Sequence, residues 1–323
     1  QSDPNLRVDD PAFLQQLSAD NLNPILFSLL VNDLLFPTQK LEYEGRVYAK
    51  DRGFAFEEQL NKNTKGILDK SLADYKDPER LGQIPLLPLT TLITNDGRKL
   101  VISPHSFSFF GSAGIPGTHS KELKQSIDFM RFFAAHDPGN LRFLTALRMS
   151  ATFPFVTPNV ELPSNPVMKT MDTGLSDNFG IQDALRFLYV FQEWIGANTS
   201  GVVLVTIRDS EKSPEISSSA STKILEKIGS PLKSIYGNWD KMQTIHNEVL
   251  FNYMDASMPF GVEKIEFEYA PGKLPAQGLE NLGSMQRASR NWRLTAKEKR
   301  SILANIQTKS NQAALARSKK LFQ

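Results

Sequence analysis

Ser150-Ala-Thr-Phe-Pro-Phe-Val-Thr-Pro158 and Met171-Asp-Thr-Gly-Leu-Ser-Asp-Asn178 are the two stretches whose reading decides the fold. Leu141 to Ser150 is helical in pattern, with Phe143, Leu144, Leu147 and Ala151 on one face. Pro154 and Pro158 force extended backbone before them, which ends that helix and aims the chain at a strand over Val167 to Met171. Asp172 then stands where the strand stops. A second helix is expected from about Phe179 to Trp194, because Ile181, Ala184, Leu185, Leu188, Phe191 and Ile195 recur at helical spacing. Asp177 or Asn178 is its natural N-cap. One carboxylate is thus presented at a strand end, where open α/β sheets place their ligand chemistry.

Working outward, Gly201-Val-Val-Leu-Val-Thr-Ile207 reads as a fully buried strand, parallel to its neighbour. Strand, helix and strand in that order predict a right-handed βαβ unit. Upstream, Leu86 to Thr94 and Arg98 to Ser103 flank Asn95-Asp-Gly97, a hairpin signal. Lys121 to Phe133 is helical in pattern. Pro24 to Phe36 is apolar around nearly its whole circumference, which predicts burial; a helix lying against lipid is the alternative, though such helices carry a basic face and this one carries Asp33. Asp51-Arg-Gly-Phe-Ala-Phe-Glu57 opens a helix, with Asp51 as capping acid and Arg52 solvated. Residues 210–222 are Ser-rich without apolar period and read as a mobile loop; residues 273–323 read as a C-terminal helical extension opening on the Thr295-Ala-Lys-Glu298 capping box. Val262 to Tyr269 reads as an exposed edge strand. Residues 1–323 are taken as a single α/β region.

Two blocks carry a family resemblance. Ala146-Leu-Arg-Met-Ser-Ala-Thr-Phe-Pro154 matches A-x-x-x-S-A-x-F-P, and Asp172-Thr-Gly-Leu-Ser-Asp-Asn178 is similar to D-G-G-x-x-D-N. Both resemble the last two blocks of the patatin-like phospholipases, lipid acyl hydrolases that use a Ser–Asp dyad without histidine. The resemblance implies a three-layer α/β fold with a mostly parallel sheet, incomplete at its N-terminal side. It implies Asp172 as the dyad aspartate, supported by Gly174 and Asn178 in the catalytic loop. Thr173 departs from the family's glycine and would be strained if that position required positive φ. The family's Gly-rich oxyanion loop and G-x-S-x-G elbow are absent from the sequence, so the nucleophile is expected upstream; residue 1 is Gln, which reads as a trimmed or processed chain. An acyl lipid or ester is the implied substrate.

Composition bounds the alternatives. A net charge of +2 with interleaved acids and bases gives no reason to propose nucleic acid. With no cysteine, thiolate catalysis and disulfides are excluded. His105, His119, His136 and His246 lack metal-ligand spacing, and neither metal nor cofactor is expected. No run of 18 apolar residues could span a bilayer, and no signal peptide is expected in the residues given. Gly111-Ser-Ala-Gly114 reads as a flexible connection, or as a flap over a site; Ser112 lacks the strand-to-helix elbow of a nucleophile. Three readings follow. Asp172 is half of an acyl-hydrolase dyad; or the chain is a non-catalytic patatin-like module that binds lipid or a partner; or Asp172 merely caps a helix. Under the first, exposed strand edges predict association with an N-terminal fragment of the same protein or with a second copy.

Overall fold

The Asn95-Asp-Gly97 turn makes the hairpin that its sequence predicts, with Gly97 at φ +76 and its amide donating to Ile93. The computed structural model describes residues 10–36, 38–43, 46–111, 125–152, 157–209, 224–270 and 293–321. The segment Phe153 to Val156, the glycine-rich segment from Ser112 onward, His119 and the 210–222 loop therefore lie outside the described residues. The chain is mixed α/β and divides into two compact units, residues 1–176 with 290–294, and residues 177–289 with 295–323.

The first unit begins with α1 (Pro11–Leu17) and α2 (Leu22–Ser28), which runs into a π-helical stretch, Leu29–Leu35. β1 (Lys40–Tyr43) and β2 (Arg46–Ala49) form a small antiparallel ribbon, followed by α3 (Arg52–Asn63) and α4 (Ala73–Arg80). Then come β3 (Leu89–Ile93), β4 (Lys99–Ile102), β5 (Ser126–Asp128), α5 (Phe129–Phe132), α6 (Phe143–Ser150), β6 (Val160–Leu162) and β7 (Met168–Asp172). The five strands form one sheet in the order β5-β4-β3-β7-β6. Leu100, Ile102, Ile93 and Leu162 from the sheet pack with Ala146 and Met149 of α6 and with Phe129, Phe133 and Phe143. Leu100 and Ile102 are fully buried, each contributing about 1.5–3 kcal/mol relative to exposure.

α7 (Gly174–Asp177) leads into the second unit, which contains α8 (Ile181–Val190), α9 (Gln192–Asn198), β8 (Val202–Arg208), α10 (Ile224–Ser257), β9 (Val262–Glu268), α11 (Ala296–Ala304) and α12 (Lys309–Leu321). Ile181, Leu185, Leu188, Ile195 and Phe251 form its core. The Thr295–Glu298 capping box opens α11 as read.

Several expectations are corrected. Parallel pairing occurs at β4·β5 and along all of β8·β9, whereas β3·β4, β3·β7 and β6·β7 are antiparallel. Short turns join β3 to β4 and β6 to β7, and a short connection can only return the chain antiparallel. β7 does not pair with β8: both its edges are occupied, by β3 and β6, and β8 pairs with β9 in a separate sheet. The helix expected through residue 133 gives way at Ser126–Asp128 to a strand, because that stretch pairs with Lys99–Val101 and tertiary pairing overrides local propensity. The 179–194 helix breaks at Phe191 into α8 and α9. β8 is not fully buried, since Val205 and Ile207 face outward. Leu26, Phe27, Leu30, Leu34, Leu35 and Phe36 are exposed, against the burial that their apolar character predicts; only Ile25 and Ser28 of α2 are buried among its residues.

Candidate functional site

Asp172 is the last residue of β7, and its neighbours show how it is held. Its amide donates to the carbonyl of Thr152 at 3.0 Å, so the residues after α6 meet the end of β7. The hydroxyl of Thr91, fully buried on β3 opposite Asp172, lies 2.8 Å from the Met149 carbonyl and 2.6 Å from that of Met171. One hydroxyl thereby clamps the last turn of α6 to the strand that carries Asp172. Thr152 is likewise buried, with its hydroxyl returned to the Arg148 carbonyl at 2.7 Å.

The Asp172 carboxylate is half-buried, and Oδ1 accepts the Gly174 amide at 2.7 Å. Burial pushes its pKa above the usual aspartate value, and the Gly174 N–H opposes that shift. A raised pKa makes the carboxylate a stronger base near neutrality. The bond to Gly174 is an Asx turn, which also serves the start of α7. Neither Thr173 nor Gly174 has positive φ, which among the described non-glycine residues is confined to Lys65 and Asp137. Thr173 is therefore accommodated without the backbone strain that a left-handed conformation would bring. Its side chain is buried, and among the described residues its hydroxyl has no hydrogen-bond partner.

Asn178 falls in the second unit, where its amide donates to Gln243 Oε1 at 2.8 Å and the residue is exposed. The capping role belongs to Asp177: its carboxylate accepts the amides of Ile181 at 3.1 Å and Gln182 at 3.0 Å.

Behind α6 lies a polar core that the sequence reading missed. Glu57 is 1% exposed, accepts the Thr145 hydroxyl at 2.9 Å, and forms ion pairs with Arg148, whose Nε lies 2.7 Å away, and with Arg142 at 3.6 Å. Burial raises the Glu57 pKa against the lowering pull of Arg148. Gly53 leaves room for this arrangement: a Cβ there would lie 1.8 Å from an Arg148 guanidinium nitrogen. Arg52, read as solvated, is paired with Asp33 and mostly buried, while Asp51 caps α3 through the Phe54 amide as expected. The available sequence signal was the glutamate six residues after Asp51 together with Arg142 and Arg148 at the two ends of α6.

Ser106 and His105 lie beside other carboxylates. The Ser106 hydroxyl donates to Asp128, but the same carboxylate caps α5 through the Arg131 amide at 3.0 Å, a structural use. His105 lies 3.5 Å from buried Glu79. Among the described residues no group of three or more His, Asp or Glu is placed to hold a metal, and no helix is long and apolar enough to cross a membrane. Comparison with known proteins places the chain in no established group: no family model, curated protein or solved structure matches it.

Proposed function

We propose that this chain supplies the acid–base carboxylate of a patatin-like serine acyl hydrolase, with Asp172 accepting the proton of a serine hydroxyl and returning it to the leaving group. The observation that carries the reading is the half-buried Asp172 carboxylate with its raised pKa, held at a strand end beside the Thr152 backbone. In such a dyad the carboxylate acts directly on the hydroxyl, and backbone N–H groups stabilise the tetrahedral oxyanion. The serine and the oxyanion loop would come from a segment outside these residues, since no G-x-S-x-G occurs here. That segment would complete the three-layer sheet, whether from the same polypeptide or by association. The substrate class is an ester of an acyl lipid.

The test is Asp172→Asn in the protein as its open reading frame encodes it, assayed on a 4-nitrophenyl acyl ester and on phospholipid vesicles. Loss of a proton acceptor costs about 10²–10⁴-fold in kcat, and circular dichroism confirms that the fold survives. Undiminished turnover by the folded variant sinks the reading.

Binding without catalysis is a second reading, favoured by the exposed row Leu26, Phe27, Leu30, Leu34, Leu35 and Phe36. Under it, the chain sediments with phospholipid vesicles, Phe27→Ser with Leu34→Ser abolishes that, and Asp172→Asn changes nothing.

A further inference from the structure

Within the second unit, the sheet face beneath α8 and α10 changes character along its length. Val202, Leu204 and Val262 pack into the apolar cluster around Leu185 and Phe251. Toward the carboxyl ends of the strands the same face becomes polar: Thr206 and Arg208 on β8 are buried, as are Thr244 and Asn247 on α10, and Arg208 bonds to Thr244. Arg208 is 6% exposed. Its guanidinium stacks over the Phe179 ring at 4.2 Å and gives one N–H to the Thr244 hydroxyl at 3.0 Å. Among the described residues no carboxylate pairs with it, and its Nε–H has no acceptor. Glu268 sits directly opposite on β9 but does not pair with it, Lys264 is held by Glu248 and Glu266, and Asp177 is engaged by the amides that open α8. One turn beyond Thr244, Asn247 is 4% exposed, and among the described residues neither of its amide atoms has a partner.

A buried cation without a counter-charge and a buried amide without partners are each costly, and buried polar groups are satisfied as a rule. Here Arg208 reaches the Thr244 hydroxyl, and Asn247 lies one turn along the same buried side of α10, near the carboxyl ends of parallel strands, where open α/β sheets bind ligands. We infer that Arg208 and Asn247 form a binding site for a small hydroxylated oxyanion, a phosphate or a hydroxy-carboxylate. The anion accepts from Arg208 Nε–H and from the Asn247 amide N–H, and its own hydroxyl donates to the Asn247 carbonyl oxygen. Phe179 covers the opposite face of the guanidinium. The site does not depend on Asp172 or on acyl transfer.

The test is thermal unfolding of the whole chain in inorganic phosphate and in glycolate, each against sodium chloride at matched ionic strength. One or both raise Tm saturably, by about 3 °C at about ten times Kd, and which of them does so identifies the class. Arg208→Met abolishes the saturable shift and Asn247→Ala weakens the apparent affinity about tenfold. Because Arg208→Met could fail to fold, the Arg208 Nε–H resonance of the unaltered chain is followed by nitrogen-15 NMR through the same titrations, where it moves saturably. No shift beyond chloride with either anion, or saturation retained in folded Arg208→Met, overturns the inference.

Discussion

Asp172 carries its pKa shift through burial, and the sign of the consequence is fixed by that cause. A carboxyl whose folded pKa exceeds its unfolded value binds more protons when folded, so stability declines as pH rises from the unfolded value to the folded one. Above that window the penalty persists in full. Asp172→Asn has no such titration, so urea unfolding across this range should show the parent losing stability relative to the variant, and parallel curves would contradict the buried carboxylate. The same group that weakens the fold at neutral pH is the one suited to accept a proton, a conflict expected at functional positions. Gly53 presents a second single-residue case. Gly53→Ala drives the Arg148 guanidinium from Glu57 and leaves an acid with 1% exposure short of its main partner. Arg148 is displaced but not removed, and Thr145 and Arg142 still serve Glu57, so the expected loss is about 1–3 kcal/mol in chemical denaturation, and a loss below about 0.5 kcal/mol would mean that Arg148 finds another route to Glu57.

At the scale of elements, the joint between α6, β3 and β7 rests on the Thr91 hydroxyl. Thr91→Val keeps shape but leaves the carbonyls of Met149 and Met171 without that donor, which costs about 1–3 kcal/mol. The loosened joint also shifts Asp172, so under the acyl-hydrolase reading kcat falls more than stability alone explains. Measuring both in one variant separates positioning from mere folding: unchanged kcat in a destabilised protein would show that the joint does not set the carboxylate. The exposed apolar row in the π-helical stretch Leu29–Leu35 behaves oppositely. Leu30 and Leu34 are 60% and 66% exposed, so Leu30→Gln with Leu34→Gln should move stability by less than about 0.5 kcal/mol per site. A larger loss would place those side chains in a contact within the folded chain.

Across the whole molecule, the two units have separate cores, one around Leu100 and Met149, the other around Leu185 and Phe251. Chains built this way commonly depart from two-state unfolding. Leu100→Ala and Leu185→Ala each remove a buried leucine and each cost about 2–5 kcal/mol. The expectation is that they shift different transitions, read by pulsed hydrogen exchange of amides in β4 and in α8. A uniform shift of both sets of amides by either substitution would instead mark one cooperative structure.

Local chemistry was legible from the chain itself. Asp-Gly requires the turn at 95–97, Thr295 with Glu298 writes a capping box, proline ends the helix after Ser150, and Asp172 stands at a strand end; each depends only on residues within a few positions of one another. Partnership depended on the folded chain. The sequence pattern cannot say that β7 spends both edges on β3 and β6, that Glu57 meets Arg148 across 91 positions, or that most of the apolar side chains from Leu26 to Phe36 face outward. It gave no sign that Arg208 and Asn247 would both be buried in the second unit with polar atoms left unpartnered among the described residues. Such contacts join residues far apart in the chain, and their energy comes from burial and pairing that exist only once the separate elements have docked.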